Sequence, residues 1–278
     1  MPEILARRGL LKDTSLHVDS TPAPGRPVVL IHGWPLSGQA FVANCPALSS
    51  AGYQVVTYDR RGFGRSDKPR TGYDYDTLAG DLHRVLTALD LDDVTLVGFS
   101  MGGGEVARYL ATYGSDRVRS AVFASAVPPF LLQGPDNPDG PLDAEKAAAM
   151  AARLVADTDG FYDEFTTEFF SANGVLAVSE DQRQEALTLC RQADTEAALA
   201  CQKAFGTTDF RDDLAKITVP TLVLHGDADA TVPFEGSGRR THEAIAGSRL
   251  HVIAGGPHGC NVSHAREWNA ALLDFLEV

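Results

Sequence analysis

The 278 residues of the chain include 37 acidic and 24 basic side chains, which gives a formal net charge of −13. This balance argues against a nucleic-acid partner, because phosphate binding requires clustered Lys and Arg. No apolar run approaches the ~20 residues that a membrane span needs, and residues 1–13 lack the apolar stretch of a secretory signal, so we expect a soluble, cytoplasmic protein without a membrane partner. The four cysteines show no C-x-x-C spacing and are expected to be reduced thiols.

Predicted strands and helices alternate along most of the chain. Strands are predicted at 4–11, 15–18, 28–31, 53–58, 94–97, 118–126, 221–224 and 250–253, and helices of the same region at 38–51, 75–89 and 103–109. The first two segments are expected to enter the sheet antiparallel, whereas the wholly apolar run 28–31 is typical of a strand covered on both faces. The alternation predicts right-handed crossovers and a mostly parallel, doubly wound α/β sheet.

The strand signal disappears between residues 127 and 213. A Pro- and Gly-rich segment opens this stretch, and Ala-rich helical segments follow at 142–157, 160–170 and 180–205. We interpret residues 127–213 as a helical cap inserted after the sixth strand, with 1–126 and 214–278 forming the core. Five aromatic residues of the cap recur at helical spacing and are expected to pack in its core or to line a pocket: Phe161, Tyr162, Phe165, Phe169 and Phe170.

The segment GFSMG at residues 98–102 lies directly between a predicted strand and a predicted helix. This G-x-S-x-G spacing is typical of a sharp, strained turn that exposes the serine hydroxyl, so Ser100 is the candidate nucleophile. The alternative is a glycine-rich turn that binds a pyrophosphate or packs closely. A dinucleotide site is expected in an early βαβ unit as G-x-G-x-x-G, and this turn lies about a third of the way along the chain.

A serine nucleophile requires a base and a group that orients the base. Asp227 and Asp229 both follow strand 221–224, and Asp229 lies further out, where it could reach an imidazole. Of the eight histidines, only His258 lies in a loop after a late strand on the side of the serine, whereas His32 and His225 are expected to orient loops. No two histidines have the spacing of metal ligands, so no metal site is expected.

Two backbone N–H groups are candidates for an oxyanion hole. The N–H of Met101 lies at the start of the helix that follows Ser100, and the N–H of Trp34 lies in the loop after strand 28–31. Pro35 has no N–H and biases Trp34 towards extended conformations. We therefore hypothesise that the Trp34 carbonyl faces the substrate.

With these residues, the chain resembles the α/β-hydrolases and, more narrowly, the cofactor-free bacterial haloperoxidases, also called perhydrolases, and their arylesterase relatives. The resemblance extends over nearly the whole chain. It depends on the segments VVLIHGWPLSG, YDRRGFGRSDKPRTGYDYDTLAGDL, LVGFSMGGGEVARY, NPDG, TDFRDDLAKITVPTLVLHGDAD and GGPHG. It implies that Ser100, Asp229 and His258 form a catalytic triad and that Trp34 and Met101 supply the oxyanion N–H groups.

The resemblance also implies an activity. Its partners would be a small carboxylic ester or acid, hydrogen peroxide and a halide, with no haem, vanadium or other metal cofactor. Pro35 is the residue associated with perhydrolysis in this family, where plain esterases carry leucine. By position the family pattern implies a small acyl pocket, and relatives commonly form homo-oligomers. The pocket residues would be Pro35, Val127, Leu131, Phe205 and Thr231.

Other functions share this fold. A plain carboxylesterase, arylesterase or lactamase without significant peroxide chemistry is the main alternative. A ligand-binding receptor with a vestigial triad is a more remote one. Dehalogenases and epoxide hydrolases carry aspartate at the position of Ser100, so the serine disfavours both.

Overall fold

The computed structural model describes residues 3–6 and 14–277. The strands are β1 (Glu3–Ala6), β2 (Thr14–Ser20), β3 (Pro27–Ile31), β4 (Gln54–Tyr58), β5 (Val94–Phe99), β6 (Val118–Ala124), β7 (Ser171–Ala172), β8 (Val175–Leu176), β9 (Thr221–Gly226) and β10 (Arg249–Ile253). The helices are α1 (Cys45–Ser50), α2 (Tyr75–Ala88), α3 (Met101–Tyr113), α4 (Ala144–Ala156), α5 (Thr158–Phe169), α6 (Glu180–Cys190), α7 (Thr195–Thr207), α8 (Arg211–Leu214), α9 (Gly238–Ala244), α10 (Cys260–Ser263) and α11 (Ala265–Leu276).

Eight strands form one sheet in the order β1-β2-β4-β3-β5-β6-β9-β10. All neighbours from β4 to β10 are parallel, and β2 pairs antiparallel with both β1 and β4. The predicted mostly parallel sheet with an antiparallel entry is therefore confirmed, although residues 7–11 of the first predicted segment lie outside the described residues. The chain order reverses at β3, which lies between β4 and β5, and open α/β sheets bind their ligands at such a switch point.

Burial explains why the central strands appear in the sequence as continuous apolar runs. Val28, Val29, Leu30 and Ile31 of β3 are each 0% exposed, because helices cover both faces of the sheet. Helices α1 and α11 contact each other, and α2, α3, α8 and α9 form a second contiguous set. Two layers of helices around one sheet bury the core on both sides.

The predicted helix 38–51 is wrong. In its place the chain forms a short 3-10 helix, Gly38–Phe41, and then α1, Cys45–Ser50. Pro46 lies in the first turn of α1, where a proline is tolerated, but within a continuous helix its ring would clash with the preceding turn. The buried side chain of Asn44, at the break, donates to the Asn261 carbonyl and to Asn269 Oδ1 at 3.0 and 2.8 Å.

The segment between β6 and β9 contains α4 to α8, as expected for an insertion after the sixth strand. The predicted helix 180–205 is wrong in one respect, because it consists of α6 and α7 with a turn between them. Asp194 ends that turn. Its carboxylate caps α7 by accepting from the Ala197 N–H at 2.9 Å, and its own N–H donates to the Gly62 carbonyl at 2.9 Å.

The prediction that residues 127–213 lack strands is also wrong, because β7 and β8 form a small antiparallel hairpin. Asn173 and Gly174 connect the two strands with φ angles of 51° and 79°. Asn-Gly is the dipeptide preferred where a two-residue turn needs both φ angles positive, so the sequence did contain a signal for this hairpin.

Two further findings concern the described part of the chain. None of its helices is long and apolar enough to cross a lipid bilayer. All four cysteine thiols are free, and three of them, Cys190, Cys201 and Cys260, are buried.

Candidate active site

Ser100 occupies a strained turn between β5 and α3. Its φ of 55° and ψ of −120° lie in a region that side-chain-bearing residues seldom adopt. The flanking glycines make the turn possible: a Cβ on Gly98 would lie 2.6 Å from the Gly103 Cα, and one on Gly102 would lie 2.4 Å from the Ile31 carbonyl oxygen. The turn therefore presents the Ser100 hydroxyl at the carboxyl edge of the sheet, next to β3.

A continuous chain of hydrogen bonds runs from Ser100 to Asp229. His258 Nε2 lies 2.9 Å from Ser100 Oγ, and His258 Nδ1 lies 2.7 Å from Asp229 Oδ2. All three side chains are nearly excluded from solvent. Since an ionised Asp229 can only accept, the proton is assigned to Nδ1, which leaves Nε2 free to accept the hydroxyl proton of Ser100.

Asp229 is held as an anion despite its burial. Burial alone raises the pKa of this carboxyl, but the charge of His258 and hydrogen bonds from His225 and His258 together lower the pKa to about 2. Its Oδ1 also accepts from the backbone N–H groups of Thr231 and Val232 at 3.0 and 2.7 Å. The carboxylate is thus both charged and fixed in orientation at neutral pH.

The second aspartate has a different position. Asp227 is exposed, and its Oδ1 accepts from the Gly255 N–H at 2.6 Å. It joins the loop after β9 to the loop after β10. Of the two candidates, only Asp229 lies within hydrogen-bond distance of His258.

His32 holds the loop that follows β3. Its Nε2 accepts from the Arg60 N–H at 2.9 Å, and its Nδ1 donates to the Gly33 carbonyl at 2.9 Å. Burial and the neighbouring Arg60 charge keep the pKa of His32 well below its usual value, so the ring stays neutral. A Cβ on Gly33 would lie 2.9 Å from Ser100 Cβ, so this loop passes directly against the serine.

Both candidate oxyanion N–H groups are free to donate. Among residues 3–6 and 14–277, neither the N–H of Met101 nor that of Trp34 has a hydrogen-bond partner. Contacts with the inserted helices hold the Trp34 side chain in place. Its Nε1–H donates to the Ala198 carbonyl at 2.9 Å, and its ring packs edge-to-face on Phe165 and Phe205. The inserted helices therefore help to position the loop that carries the Trp34 N–H.

A cavity of about 540 Å³ opens at Ser100 and His258. Val127, Leu131, Phe205 and Thr231 line it, as does Trp34. Pro35, which we expected in the pocket, does not. The chain turns back here through a hydrogen bond from the Leu36 N–H to the Gly33 carbonyl, and Pro35 is buried outside the cavity while Trp34 faces it.

The aromatic residues of α5 contact two different parts of the site. Phe161 and Phe165 line the cavity. Phe169 packs against the His258 ring at 5.1 Å between centroids, and its carbonyl accepts from the Gly259 N–H at 2.9 Å. The insertion therefore supports the histidine loop as well as forming the cavity wall.

Sequence reasoning missed several residues around the site. Leu142 and Gln202 line the cavity, but nothing in a helical pattern indicates which face opens to a cavity. Two buried ion pairs, Arg60 with Glu105 and Arg61 with Asp81, fasten the loop after β4. Their charges resembled ordinary surface charges in the sequence. Across the described ranges, no group of three or more His, Cys, Asp or Glu could hold a metal ion.

The chain is similar to known proteins over nearly its whole length. A family model for the alpha/beta hydrolase fold matches residues 26–265. A non-heme chloroperoxidase of Kitasatospora aureofaciens is 43% identical over 91% of this chain and 92% of its own length. The bifunctional esterase/perhydrolase of Acinetobacter calcoaceticus is 39% identical over 90% of the chain and 91% of that relative. The crystal structure of a bromoperoxidase from Bacillus anthracis, 49% identical, matches with a TM-score of 0.96 over 100% of this chain and 99% of its own. The chain therefore belongs to the α/β-hydrolase superfamily and, within it, to the family of the non-heme haloperoxidases.

Proposed function

We propose that this protein is a serine hydrolase that forms an acyl-enzyme from small carboxylic esters or acids and transfers the acyl group to water or hydrogen peroxide. The chief support is the unbroken hydrogen-bonded chain from Ser100 through His258 to Asp229 at the wall of a largely apolar cavity. Relatives named as chloroperoxidase and as esterase/perhydrolase are consistent with both outcomes.

Acylation uses each of these side chains in turn. The Ser100 oxygen attacks the substrate carbonyl as His258 Nε2 takes the hydroxyl proton, and Asp229 stabilises the imidazolium that forms. The N–H groups of Trp34 and Met101 donate to the oxyanion of the tetrahedral intermediate. When the intermediate collapses, the C–O bond to the leaving group breaks and His258 returns the proton to that oxygen.

Deacylation decides the product. Water attacking the acyl group gives a carboxylic acid, whereas hydrogen peroxide attacking in the same way gives a peracid. In either case His258 takes the proton of the nucleophile and Ser100 Oγ recovers it. A peracid released from the protein can transfer its terminal oxygen to bromide or chloride. The halide is oxidised by two electrons to the hypohalous acid, which takes the peracid proton, while the peracid O–O bond breaks and a carboxylate is released. On this proposal the protein itself needs no metal or cofactor.

On this proposal, the loop after β3 determines whether water or hydrogen peroxide attacks the acyl-enzyme. We propose that the Trp34 carbonyl, whose position depends on Pro35, accepts a hydrogen bond from peroxide or peracid. A Pro35→Leu variant is expected to lower the ratio of perhydrolysis to hydrolysis. An unchanged ratio would refute this role.

The insertion at 127–213 serves, on this proposal, as the cap of a core formed by 1–126 and 214–278. It supplies much of the acyl pocket, with Val127, Leu131 and Phe205 joined by Thr231 from the core. The pocket is expected to select small acyl groups.

The test is a paired assay on wild type and Ser100→Ala in metal-free buffer. One assay follows p-nitrophenyl acetate hydrolysis, and the other follows bromination of monochlorodimedone with hydrogen peroxide and acetate. Wild type is expected to perform both reactions and Ser100→Ala neither. A wild type that cleaves the ester but never brominates would instead be a plain esterase, and bromination that persists in Ser100→Ala would exclude the acyl-enzyme route.

A further inference from the structure

The amide of Gln202 is buried without a hydrogen-bond partner. The residue is 7% exposed and lines the cavity that contains Ser100 and His258. Neither Oε1 nor Nε2 has a partner within the described part of the chain. Buried polar groups are nearly always paired, and leaving one unpaired is costly, so this amide requires an explanation.

Gln202 lies on the side of α7 that packs against Trp34. Helical spacing places Ala198, Gln202 and Phe205 on one face of α7. Ala198 and Phe205 on that face contact the Trp34 side chain, through the Trp34 Nε1–H and the Trp34 ring respectively. The helix face that carries Gln202 is therefore the one next to the loop that supplies one of the proposed oxyanion N–H groups.

Charge and geometry restrict the group that could pair with this amide. The cations that line the cavity, Lys146, Arg153 and Lys203, are exposed, so none lies buried beside Gln202 to neutralise a carboxylate. A carboxylate also only accepts, and it would leave Gln202 Oε1 without a donor. A carboxamide presents one donor and one acceptor side by side in a plane, so it can pair with both atoms of the glutamine amide.

We infer that Gln202 is the polar contact of an acyl subsite and that the preferred ester substrates carry a neutral carboxamide on the acyl chain. This inference rests on the proposed function, because it places the acyl group between Ser100 and α7. Gln202 Nε2–H donates to the substrate amide oxygen, and the substrate N–H donates to Gln202 Oε1. The two contacts replace hydrogen bonds that the substrate amide loses when it leaves water.

The experiment compares two series of p-nitrophenyl esters of increasing chain length. In one series the acyl chain ends in a carboxamide, and in the other it ends in an isopropyl group of the same shape. The ratio of their kcat/KM values is measured for wild type, Gln202→Met and Gln202→Leu, after subtraction of the rate without enzyme. The ratio cancels any loss of active protein. Tyr162→Phe is the matched control, because the Tyr162 hydroxyl is also buried without a partner among the described residues but Tyr162 does not line the cavity.

At one chain length, wild type is expected to favour the carboxamide ester by roughly 10- to 30-fold, the effect of two neutral hydrogen bonds. Both Gln202 variants are expected to lose this preference, and Tyr162→Phe is expected to keep it. The inference is overturned if wild type shows no such preference, if the preference survives in both Gln202 variants, or if it disappears only in Tyr162→Phe. If wild type hydrolyses p-nitrophenyl acetate through Ser100 without favouring any carboxamide ester, this inference alone fails; if no ester is hydrolysed, the proposed function fails with it.

Discussion

Replacing Glu105 by glutamine is expected to destabilise the fold by about 3 kcal/mol, because it leaves a buried guanidinium without its counter-ion. Arg60 and Glu105 are both 1% exposed, and the Tyr58 hydroxyl donates to Glu105 Oε2 at 2.6 Å. Burial by itself lowers the pKa of Arg60, yet the charge of Glu105 raises it above the ordinary value, so Arg60 stays a cation. Breaking a buried pair costs about 3–5 kcal/mol, and the lower end applies here because glutamine keeps the shape and one acceptor. The loss would be a large share of a stability of roughly 5–15 kcal/mol.

Urea unfolding followed by far-UV circular dichroism measures this loss. Tyr58→Phe, which removes only a hydroxyl, is the matched control and should cost about 1 kcal/mol. The double variant Arg60→Met with Glu105→Leu removes both charges and should be more stable than Glu105→Gln. A cost below about 1 kcal/mol for Glu105→Gln, or a double variant less stable than Glu105→Gln, would show that the buried charge of Arg60 does not need this counter-ion.

Four further predictions each concern a single residue. Asp229→Asn is expected to lower kcat for p-nitrophenyl acetate by roughly 10³- to 10⁴-fold, because the amide favours the wrong tautomer of His258; a loss below tenfold would contradict this. Since the pKa of Asp229 is lowered from 3.8 to about 2, the stability that its charge contributes is fully present above pH 3.8 and is lost as the pH falls through about 2, so wild type and Asp229→Asn should converge in unfolding free energy there. Gly102→Ala is expected to lower the melting temperature, because its Cβ would lie 2.4 Å from the Ile31 carbonyl oxygen, and an unchanged melting temperature would show that the turn can relax. Burial raises the pKa of Cys45, a half-buried thiol, to about 11, so iodoacetamide should label it far more slowly in the folded protein than in urea, as followed by mass spectrometry; equal rates would contradict the burial.

Features that depend on neighbouring residues could be predicted from the sequence. The apolar run 28–31 forms the buried part of β3, and GFSMG forms the turn in which Ser100 has a φ of 55°. The common position of Ser100, Asp229 and His258 followed from a rule of topology, since the carboxyl ends of parallel strands meet at one edge of the sheet. The break at Pro46 and the Asn173-Gly174 hairpin also have local signals, a proline and an Asn-Gly dipeptide, which helical periodicity does not take into account.

Features that depend on distant partners could not be predicted. Gln202 is a cavity residue only because α7 packs its face against Trp34, which belongs to a loop far away in the chain. In the sequence, Glu105 is one acidic residue of a helix. Its burial could be predicted only if its partner Arg60, from the loop after β4, were known to lie beside it. Periodicity identifies a helix, but the identity of what each face contacts is fixed by tertiary packing.

The reacting groups and the cavity wall come from different elements of the fold, and this difference affects how substrate specificity can change. On the proposed mechanism, the reacting groups lie in the loops after β3, β5, β9 and β10, and these loops are fixed by contacts within the core, such as Gly33 against Ser100 and the backbone N–H groups that hold Asp229. Helices α4, α5 and α7 supply much of the cavity wall. Because acyl selection and acyl transfer use different elements, substitutions of Gln202, which lies on α7 and lines the cavity, should change which ester is accepted without altering the competition between water and peroxide. That competition should respond instead to the loop of Trp34 and Pro35, which lies beside the bond that the second nucleophile attacks.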